Sequence, residues 1–586
     1  MRDLVCECRR YDYFRGQPHH PAEHELAELD EAEQKAKGTL PEPEPYDLRP
    51  CVASEPKAFV WDDYKKAFFA EVVNGKGHVM IEAVAGSGKT KAILEAMRLC
   101  AGFRIMVTSF GNGIVNELKA KVPTGQGIYV TTLHSLGMRA CQSLKSKVDE
   151  EKIWEILDKV LAPKLDTTTQ QLVNPIPPQS KKVERDEEYD GDVRISSRVM
   201  ARLGAHPKKK KAGDWEKEWR SSVKKTVGLA KNYLARGGDA IGDAMDIHQI
   251  CPPEDEAQRG IFINQVIEVL EECERDMTRI DFDDQIWLPN VKKLYVPRFE
   301  RIFVDEVQDL NYAQIALLLK ALEPGGRIFA VGDPNQGIYH FRGAAHDAFD
   351  RVRDELNAKV MPLNVSYRCS EAVVREAQSI VPHIEARPEA DEGEVRIATM
   401  KDLYEQVRDG DYIISRTNAP LLPICLALLK NERHASIKGR DIGEKLASTI
   451  RRAKTHDIDA MLEYVDKWSK KEIERLEKRN KSTVGIEDTR DCIRGLSEGE
   501  RNVDDVIYKI DRLFTKEAEK IIISSTHQAK GLEAERVWIL RYTYTKEPRP
   551  DASPYDIQEE RNLYYVAVTR AKKQLFMIND PPKALK

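Results

Sequence analysis

Short runs of apolar residues alternate with longer amphipathic stretches along most of the chain. Between residues 78 and 333, the runs HVMIEAV, RIMVTSF, GIYVTTL, RIFVDE and RIFAVGD are rich in β-branched residues and bounded by polar residues. After residue 410, DYIISRT, KIIISST, RVWILRY and KQLFMIND have the same character. Strands that alternate with helices form parallel sheets with helices on both faces. The pattern therefore predicts an α/β protein with two parallel-sheet cores.

Two polar stretches interrupt these cores. The first contains NPIPPQ, VERDEEYDGD and HPKKKK, and the second contains KWSKKEIERLEKRNK, so both are predicted to be mainly helical insertions. The predicted boundaries are 1–55 for an N-terminal tail or small extension, 56–141 and 276–350 for the first core, 142–275 for its insertion, 351–440 and 519–586 for the second core, and 441–518 for the shorter second insertion.

Composition narrows the class of protein. The chain has 586 residues, of which 41% are hydrophobic and 32% charged, and this balance is typical of a globular protein with a large solvated surface. No run approaches the roughly 18 apolar residues of a membrane span. The N-terminal segment lacks the apolar core of an export signal, which favours a cytoplasmic location. The net charge of −5 means that any nucleic-acid site depends on local charge.

The segment AVAGSGKT at residues 83–90 lies between an apolar strand and a helical pattern. Small residues there let backbone N–H groups approach phosphates, and the helix N-terminus favours negative charge. Lys89 is suited to reach the β- and γ-phosphates of ATP, and the Thr90 hydroxyl to bind Mg²⁺. The alternative is a glycine-rich turn without function. The predicted nucleotide-binding residues are Ala85, Gly86, Ser87, Gly88, Lys89 and Thr90.

A second element is needed to hold the metal, and the strand RIFVDE ends in two acids. Asp305 is a candidate Mg²⁺ ligand together with Thr90, and Glu306 is a candidate general base for the attacking water. By itself an acidic pair after a strand is more often a solvated loop or a helix cap. The phosphate loop earlier in the chain favours the catalytic interpretation.

Further segments follow in a fixed order: SFGNG (109–113), TLHSLG (132–137), DEVQDLNYAQ (305–314), VGDPNQGIYHFRGA (331–344), LNVSYRCS (363–370), STHQAKGLEAERV (525–537) and EERNLYYVAVTRAKK (559–573). Together with the phosphate loop, they resemble the superfamily-one DNA helicases of the UvrD, Rep and PcrA type. The resemblance extends from about residue 57 to residue 573 and implies two RecA-like domains with ATP in the cleft between them.

The resemblance also implies roles for residues outside the phosphate loop. It assigns γ-phosphate and water positioning to Gln308 and Gln336, and transition-state charge stabilisation to Arg368 and Arg570. Tyr367 is similar to the adenine-stacking tyrosine of the family, and Glu533 to the residue that contacts the ribose.

Single-stranded DNA is the polymer that the resemblance implies. Phe110, Tyr339 and Phe341 are the candidates for stacking on bases, with His134, Arg342 and His527 as polar contacts. Stacking contributes about 1–3 kcal/mol per base and tolerates any sequence, as a translocating protein requires. The alternative for Phe110 and Phe341 is that they are core residues.

The sequence departs from the family pattern at three places. Lys65, or Tyr64 in a shifted alignment, stands where the family has a glutamine that reads the adenine edge, so selectivity for adenine is open. The residues Gly111–Gly113 differ from the usual threonine-asparagine-lysine. The insertion at 441–518 is shorter than its counterpart in the namesake enzymes, which is typical of a compact, phage-type or F-box-helicase-like form.

These observations predict an ATP-dependent DNA helicase that moves 3′ to 5′ on single strands and acts at single-strand/duplex junctions in repair, replication or recombination. Single-strand-binding or recombination proteins are candidate partners, and no membrane is. The first alternative is a DNA-dependent ATPase that displaces proteins or recombinase filaments with little unwinding. The second is a scaffold that binds nucleotide and DNA without catalysis.

Three other features have mainly structural interpretations. Cys6 and Cys8 lack clean zinc-ligand spacing, and the cluster Lys208–Lys211 is better read as a solvated loop than as a targeting or phosphate-binding signal. The acidic segment Asp281–Asp284 is interpreted as structural or helix-capping.

Overall fold

The computed structural model describes residues 61–109, 112–122, 127–161, 212–248, 250, 256–338, 345, 347–477, 483–515, 520–544 and 554–581. The chain divides into two compact units. Of the described residues, 141–294 form the insertion unit, and 61–140 together with 295–581 form the core unit. Both large sheets belong to the core unit. The first lobe of this unit is residues 61–140 and 295–363, and the second lobe is residues 364–581.

The first lobe and the insertion unit contain the following elements in chain order. Before the insertion these are α1 (Asp63–Asn74), β1 (Val79–Ala83), α2 (Lys89–Leu99), β2 (Ile105–Ser109), α3 (Asn112–Lys121), β3 (Ile128–Thr131) and α4 (Leu133–Cys141). The insertion unit has β4 (Lys147–Val148), a helical stretch at 152–161, α5 (Ala212–Tyr233), α6 (Gly238–Ile247), α7 (Glu256–Arg275), β5 (Arg279–Ile280) and α8 (Asp284–Val291). The first lobe resumes with β6 (Phe299–Asp305), α9 (Tyr312–Lys320), β7 (Leu322–Gly332), α10 (Ala348–Leu356) and β8 (Lys359–Leu363).

The second lobe has the same alternating plan. It begins with β9 (Val365–Ser366), α11 (Glu371–Gln378), β10 (Glu385–Ala386), β11 (Glu394–Ala398), α12 (Met400–Gln406), β12 (Tyr412–Ser415), α13 (Leu421–Lys430) and β13 (Ala435–Lys438). Inserted helices follow as α14 (Arg440–Arg451), α15 (Ile458–Glu477), α16 (Val484–Ser497) and α17 (Val503–Leu513), and they lead into β14 (Phe514–Thr515). The lobe ends with β15 (Ile521–Ser525), α18 (Thr526–Ala529), β16 (Ala534–Ile539), α19 (Pro554–Val568) and β17 (Ala571–Ile578).

The sheet of the first lobe has the strand order β3-β2-β6-β7-β1-β8, and its strand pairs are parallel. Its strands are apolar because both faces are covered by helices. Phe303 and Phe329 stack at 4.9 Å between ring centroids in the core below the sheet surface. Parallel strands end at one edge, so the residues after β1, β6 and β7 lie at the same edge of this sheet.

The sheet of the second lobe has the order β11-β17-β16-β12-β15-β13-β14, again with parallel pairs. Trp538 and Phe576 stack at 4.2 Å between centroids, and the inserted helices add Ile493 and Ile510 to the same apolar core. The predicted fold class, two parallel α/β cores with mainly helical insertions, is thereby confirmed.

The first sheet extends past the predicted boundary at residue 350, because β8 pairs with β1 over residues 359–363. β8 is an edge strand with mostly solvent-accessible side chains, so its sequence KVMPL carries a weak strand signal. The predicted tail at 1–55, Cys6, Cys8 and Lys208–Lys211 lie outside the described residues.

Inside the insertion unit, the acidic segment after β5 binds two buried lysines. Lys231 Nζ lies 2.7 Å from Asp281 Oδ2, and Lys152 Nζ lies 2.6 Å from Asp284 Oδ2. The Lys152 and Asp284 side chains are fully buried, so the pair satisfies charges that would otherwise be costly inside the unit. Within the described ranges, no group of three or more His, Cys, Asp or Glu side chains is arranged to hold a metal ion.

Candidate active site

The phosphate loop joins β1 to α2 and requires glycine at two positions. Gly86 has φ +74° and Gly88 has φ +79°, in the left-handed region that disfavours other residues. A Cβ atom on Gly86 would also lie 2.6 Å from Arg368 Cβ and 2.8 Å from Ser366 Oγ. The loop is therefore shaped by contact with the second lobe as well as by its own turn.

The same loop presents unfilled donors at the N-terminus of α2. The Ser87 hydroxyl is buried and has no hydrogen-bond partner among the described residues. Lys89, the first residue of α2, reaches the Ala83 carbonyl at 3.4 Å, a weak contact for an ammonium group. An orphaned hydroxyl and a weakly held lysine at a helix N-terminus fit an anionic ligand such as a triphosphate.

The predicted acidic pair lies at the end of β6. Asp305 is buried, and its Oδ1 accepts the backbone N–H of Glu306 at 3.0 Å. Glu306 has φ +56°, an uncommon conformation for a residue other than glycine. Burial alone would raise the pKa of Glu306, but the charges of Lys89 and Lys530, with other contacts, lower it to about 2. Glu306 is therefore a carboxylate at neutral pH, close to Lys89.

A continuous chain of hydrogen bonds runs from this carboxylate to the second lobe. Gln308 Nε2 donates to Glu306 Oε2 at 2.5 Å, and Gln308 Oε1 accepts the Asp333 backbone N–H at 3.1 Å. Asp333 Oδ2 accepts Gln336 Nε2 at 2.7 Å, and Gln336 Oε1 accepts Arg570 Nη2 at 3.3 Å. The structure thus brings the predicted residues Glu306, Gln308, Gln336 and Arg570 into one network.

Arg570 directly precedes β17, and backbone carbonyls hold its guanidinium. Its Nε donates to the Val566 carbonyl at 2.9 Å and its Nη1 to the Leu532 carbonyl at 3.2 Å. Burial, with the neighbouring charge of Arg368, lowers the pKa of Arg570 to about 9, so the guanidinium stays cationic at neutral pH. A buried cation beside Glu306 and Gln336 is positioned to stabilise negative charge in this cleft.

Arg368 and Glu533, predicted as an arginine finger and a ribose contact, bind one another. Arg368 Nε lies 2.6 Å from Glu533 Oε2, and Lys572 Nζ lies 2.9 Å from Glu533 Oε1. Burial would raise the pKa of Glu533, but Lys572 and Arg368 lower it overall. Arg368 is also next to the phosphate loop, because its Cβ lies where a side chain on Gly86 would go.

Tyr367 is fixed between the two lobes. Its backbone N–H donates to the Gly86 carbonyl at 2.9 Å, and its hydroxyl donates to Asp62 Oδ2 at 2.7 Å. Lys65 Nζ lies 4.3 Å from the centroid of the Tyr367 ring and pairs with Asp62. Tyr64 instead bonds Glu385 at 2.9 Å, so Lys65 is the residue that contacts the tyrosine.

Several residues of the site were not singled out from sequence. Lys530 Nζ contacts Asp309 Oδ2 at 2.7 Å and the Gln336 carbonyl at 2.8 Å. Tyr565 accepts the Ala85 N–H at 3.0 Å, and both residues are fully buried. Both residues belong to the motif segments at 525–537 and 559–573, so these segments were the sequence signal that could have identified them. The residue types alone do not show that their partners lie in the other lobe.

The predicted DNA contacts are described only in part. Phe110, Tyr339, Phe341 and Arg342 lie outside the described residues. His134 is on α4, and burial lowers its pKa to about 4, so its imidazole is neutral at physiological pH. His527 is on the short helix α18, three residues before Lys530.

A phosphate loop and acidic pair in one parallel α/β lobe, faced by a buried arginine from a second such lobe, define the class of two-lobed phosphate-loop proteins. The chain belongs to the UvrD/REP helicase family. The family model for the UvrD/REP helicase N-terminal domain matches residues 65–357, and the model for the UvrD-like helicase C-terminal domain matches residues 440–580.

Individual relatives are distant in sequence. The chain is 25% identical to the ATP-dependent DNA helicase PcrA of Bacillus subtilis over 329 residues, which cover 52% of this chain and 37% of that protein. It is 23% identical to DNA helicase II of Escherichia coli over 335 residues, which cover 53% of this chain and 39% of that protein. The chain thus spans well under half the length of these relatives.

Proposed function

We propose that this protein is an ATP-dependent DNA helicase that translocates on single-stranded DNA. The observation that carries the proposal is the hydrogen-bonded chain from Glu306 in the first lobe to Arg570 in the second. A phosphate loop alone is found in many nucleotide-binding proteins. Here a carboxylate of one lobe and an arginine of the other belong to one hydrogen-bond network, and this arrangement can couple ATP hydrolysis to movement of the lobes.

The proposed chemistry follows from the charges of the site. Glu306 is ionised at neutral pH and orients the attacking water and accepts its proton. Gln308 holds the Glu306 carboxylate in place by its amide hydrogen bond. Lys89, Arg368 and Arg570 stabilise the negative charge that spreads over the transferred phosphoryl group.

We assign Mg²⁺ to Thr90 and Asp305, on the basis of their ligand chemistry. A hydroxyl at the start of α2 and a buried carboxylate at the end of β6 supply the oxygen ligands that Mg²⁺ prefers. When bound there, the metal would neutralise phosphate charge. Asp305 is the better protected of the two ligands, because it is almost fully buried.

The coupling to DNA is proposed to pass through Gln336. This residue ends the short 3-10 helix Pro334–Gln336, and the chain continues from it to Tyr339, Phe341 and Arg342. Loss or gain of the Arg570–Gln336 bond would therefore shift the segment proposed to stack on bases. Phe110, His134 and His527 are the further proposed contacts, and the neutral His134 acts as a hydrogen-bonding group rather than a cation.

The decisive experiment measures ATP hydrolysis with single-stranded DNA, single-stranded RNA, duplex DNA and no polymer. We expect the largest stimulation with single-stranded DNA, and loss of hydrolysis in Lys89→Ala. The control is Lys91→Ala, two residues further along the same helix. Equal turnover in wild type and Lys89→Ala would contradict the site assignment, and absence of turnover in wild type would favour the non-catalytic scaffold.

Two further assays test the direction of movement along DNA and the choice between strand separation and protein displacement. Duplexes with 3′ or 5′ single-stranded tails test the proposed 3′ to 5′ movement at junctions. Displacement of a DNA-bound protein, compared with strand separation, tests the alternative of a protein-stripping ATPase. The short insertion, α14–α17 at residues 440–513, favours that alternative.

The cellular setting is proposed on the same basis. A role in repair, replication or recombination, in the cytoplasm and with single-strand-binding or recombination proteins as partners, is consistent with such an activity. None of the helices that the structure describes is long and apolar enough to cross a membrane.

A further inference from the structure

A short turn after β7 belongs to the first lobe by sequence, but the second lobe binds its backbone. The Gln336 turn, residues 334–337, contains the 3-10 helix Pro334–Gln336. Inside the first lobe, Asp333 caps this turn, because its Oδ1 accepts the Asn335 N–H at 3.0 Å and its Oδ2 accepts Gln336 Nε2 at 2.7 Å. The backbone carbonyls of the turn accept hydrogen bonds from the second lobe.

One side-chain amide of α19 bridges the two ends of the Gln336 turn. Asn562 Nδ2 donates to the Gly337 carbonyl at 2.9 Å and to the Pro334 carbonyl at 3.2 Å. The amide nitrogen has two N–H donors, so both are used, while Oδ1 accepts Gln558 Nε2 at 2.9 Å. Asn562 is only 2% exposed, so water cannot replace these bonds. The amide is therefore fixed with its donors toward the first lobe.

Two further contacts hold the same segment to the second lobe. Lys530 Nζ donates to the Gln336 carbonyl at 2.8 Å. Directly after the turn, Ile338 is fully buried in an apolar cluster with Leu563 and Val566 of α19. Polar and apolar contacts thus join residues 334–338 to one face of the second lobe.

The backbone contacts are shorter than the side-chain contact between the lobes. Asn562 and Lys530 reach the carbonyls of the turn at 2.8–3.2 Å, whereas Arg570 reaches Gln336 Oε1 at 3.3 Å. A turn that is held by its backbone moves as a unit, and its side chains follow. Movement of the second lobe therefore displaces Gln336 relative to Asp333, and with it the network that leads to Glu306.

We propose that Asn562 is a positioning residue that transmits movement of the second lobe to Gln336, and so couples DNA binding to ATP hydrolysis. The inference rests on the proposed function and assigns a residue to its coupling step. The side-chain hydrogen bonds of Asn562 go to the Gln336 turn and to Gln558. Its removal therefore leaves the groups of the phosphate loop, Glu306 and Arg570 chemically intact.

The test compares Asn562→Ala and Asn562→Asp with wild type in ATP hydrolysis, with and without single-stranded DNA. Alanine removes both donors, whereas aspartate keeps the shape of the side chain and replaces the donating nitrogen by an oxygen. In both variants we expect the stimulation of kcat by DNA to fall about tenfold, the effect of about one buried hydrogen bond. Basal kcat and the Kd of ATP should stay within about twofold of wild type, because no group that touches the nucleotide is removed.

The matched control is Arg561→Ala, at the exposed preceding position of α19, which should keep full stimulation by DNA. A packing role for Asn562 would spare Asn562→Asp and affect only Asn562→Ala. A purely structural role would lower basal and DNA-stimulated hydrolysis by the same factor. Either result would overturn the proposal.

Amide hydrogen exchange of residues 334–338 is a second readout that needs no hydrolysis. We expect a non-hydrolysable ATP analogue to slow exchange there in wild type but not in Asn562→Ala. Absence of this change in wild type would overturn the proposal, even if the variants do not fold.

The two readouts separate this proposal from the proposed motor activity. Wild type that lacks DNA-stimulated hydrolysis would contradict the motor, and the exchange comparison would then decide the role of Asn562. Strong stimulation by DNA in wild type and equally in both variants would support the motor and overturn the role of Asn562.

Discussion

Arg570 Nη2 donates a hydrogen bond to Gln336 Oε1 at 3.3 Å, and these two residues are 234 positions apart in the chain. The arginine directly precedes the last strand of the second lobe, and the glutamine ends a short 3-10 helix of the first lobe. A single side-chain contact thus links the two lobes next to the buried Glu306 carboxylate. Such a link can break and re-form when the lobes move, as an element that couples hydrolysis to lobe movement must.

Arg570→Lys keeps the positive charge but removes the planar fork that contacts Gln336 and two backbone carbonyls. We expect kcat for DNA-stimulated hydrolysis to fall by about 10³–10⁵, the range found for residues that stabilise phosphoryl-transfer charge. Steady-state kinetics with saturating single-stranded DNA measure this. Arg561→Lys, at an exposed position of α19, is the control and should retain wild-type turnover. A loss of less than tenfold in Arg570→Lys would exclude the assigned role.

Tyr565→Phe removes the hydroxyl that accepts the Ala85 N–H inside the phosphate loop. Both residues are fully buried, so this N–H would lose its partner without access to water. We expect the unfolding free energy of the nucleotide-free protein to fall by about 1–3 kcal/mol. Chemical denaturation of wild type and variant measures this difference.

The neighbouring tyrosine provides the control for that experiment. Tyr564 bonds Glu376 at 3.0 Å at a partly exposed site, where water can replace the lost contact in Tyr564→Phe. If Tyr565→Phe and Tyr564→Phe lower the unfolding free energy equally, the buried Ala85–Tyr565 hydrogen bond contributes no more to stability than the partly exposed one.

Much of the fold follows from the sequence because its strands are buried on both faces. The centres of these strands, IFV in RIFVDE and III in KIIISST, are unbroken apolar runs, as covered parallel strands require, and they are visible in the sequence. The edge strands β8 and β11 expose many of their side chains, so KVMPL and EVRIA do not stand out from loops. The pattern of apolar residues therefore predicts the central strands of each sheet more readily than the edge strands.

The candidate site also has a part that the sequence predicts and a part that it does not. Lys89 and Glu306 are recognisable because local context, a loop before a helix and an acid after a strand, carries the signal. The contacts of Tyr367 with Asp62 and of Tyr565 with Ala85 join residues 305 and 480 positions apart. No local pattern specifies such pairs, because they depend on how the second lobe packs on the first.

Asp309 gives the site a pH-dependent contribution to stability. Burial raises its pKa to about 6, although Lys530 opposes the shift. An acid whose pKa is higher in the folded state holds more protons there, so it contributes less stability as pH rises from about 4 to about 6. Asp309→Asn removes this titration. The difference in thermal midpoint, variant minus wild type, should therefore increase from pH 4 to pH 6 and then level off.

Glu306 acts with the opposite sign. Its pKa is lowered to about 2, so its stabilising contribution is fully present well above pH 4.5 and is lost as pH falls toward 2. Wild type and Asp309→Asn both carry Glu306, so this contribution is common to them and cancels in the variant-minus-wild-type difference. The exposed Asp63→Asn serves as control. A variant-minus-wild-type difference that falls with rising pH would contradict the shift assigned to Asp309.

Gly86→Ala tests whether the phosphate loop depends on contact with the second lobe. The alanine would have to adopt φ +74°, at a cost of about 1–2 kcal/mol, and its Cβ would lie 2.6 Å from Arg368 Cβ. Relief of that overlap requires a backbone shift that costs about 1–3 kcal/mol more. We expect a lower thermal midpoint and loss of nucleotide binding. Gly77→Ala is the matched control, because no atom lies within 4 Å of its Cβ position. Comparable binding of nucleotide by both variants would mean that the loop does not need the close approach of Arg368.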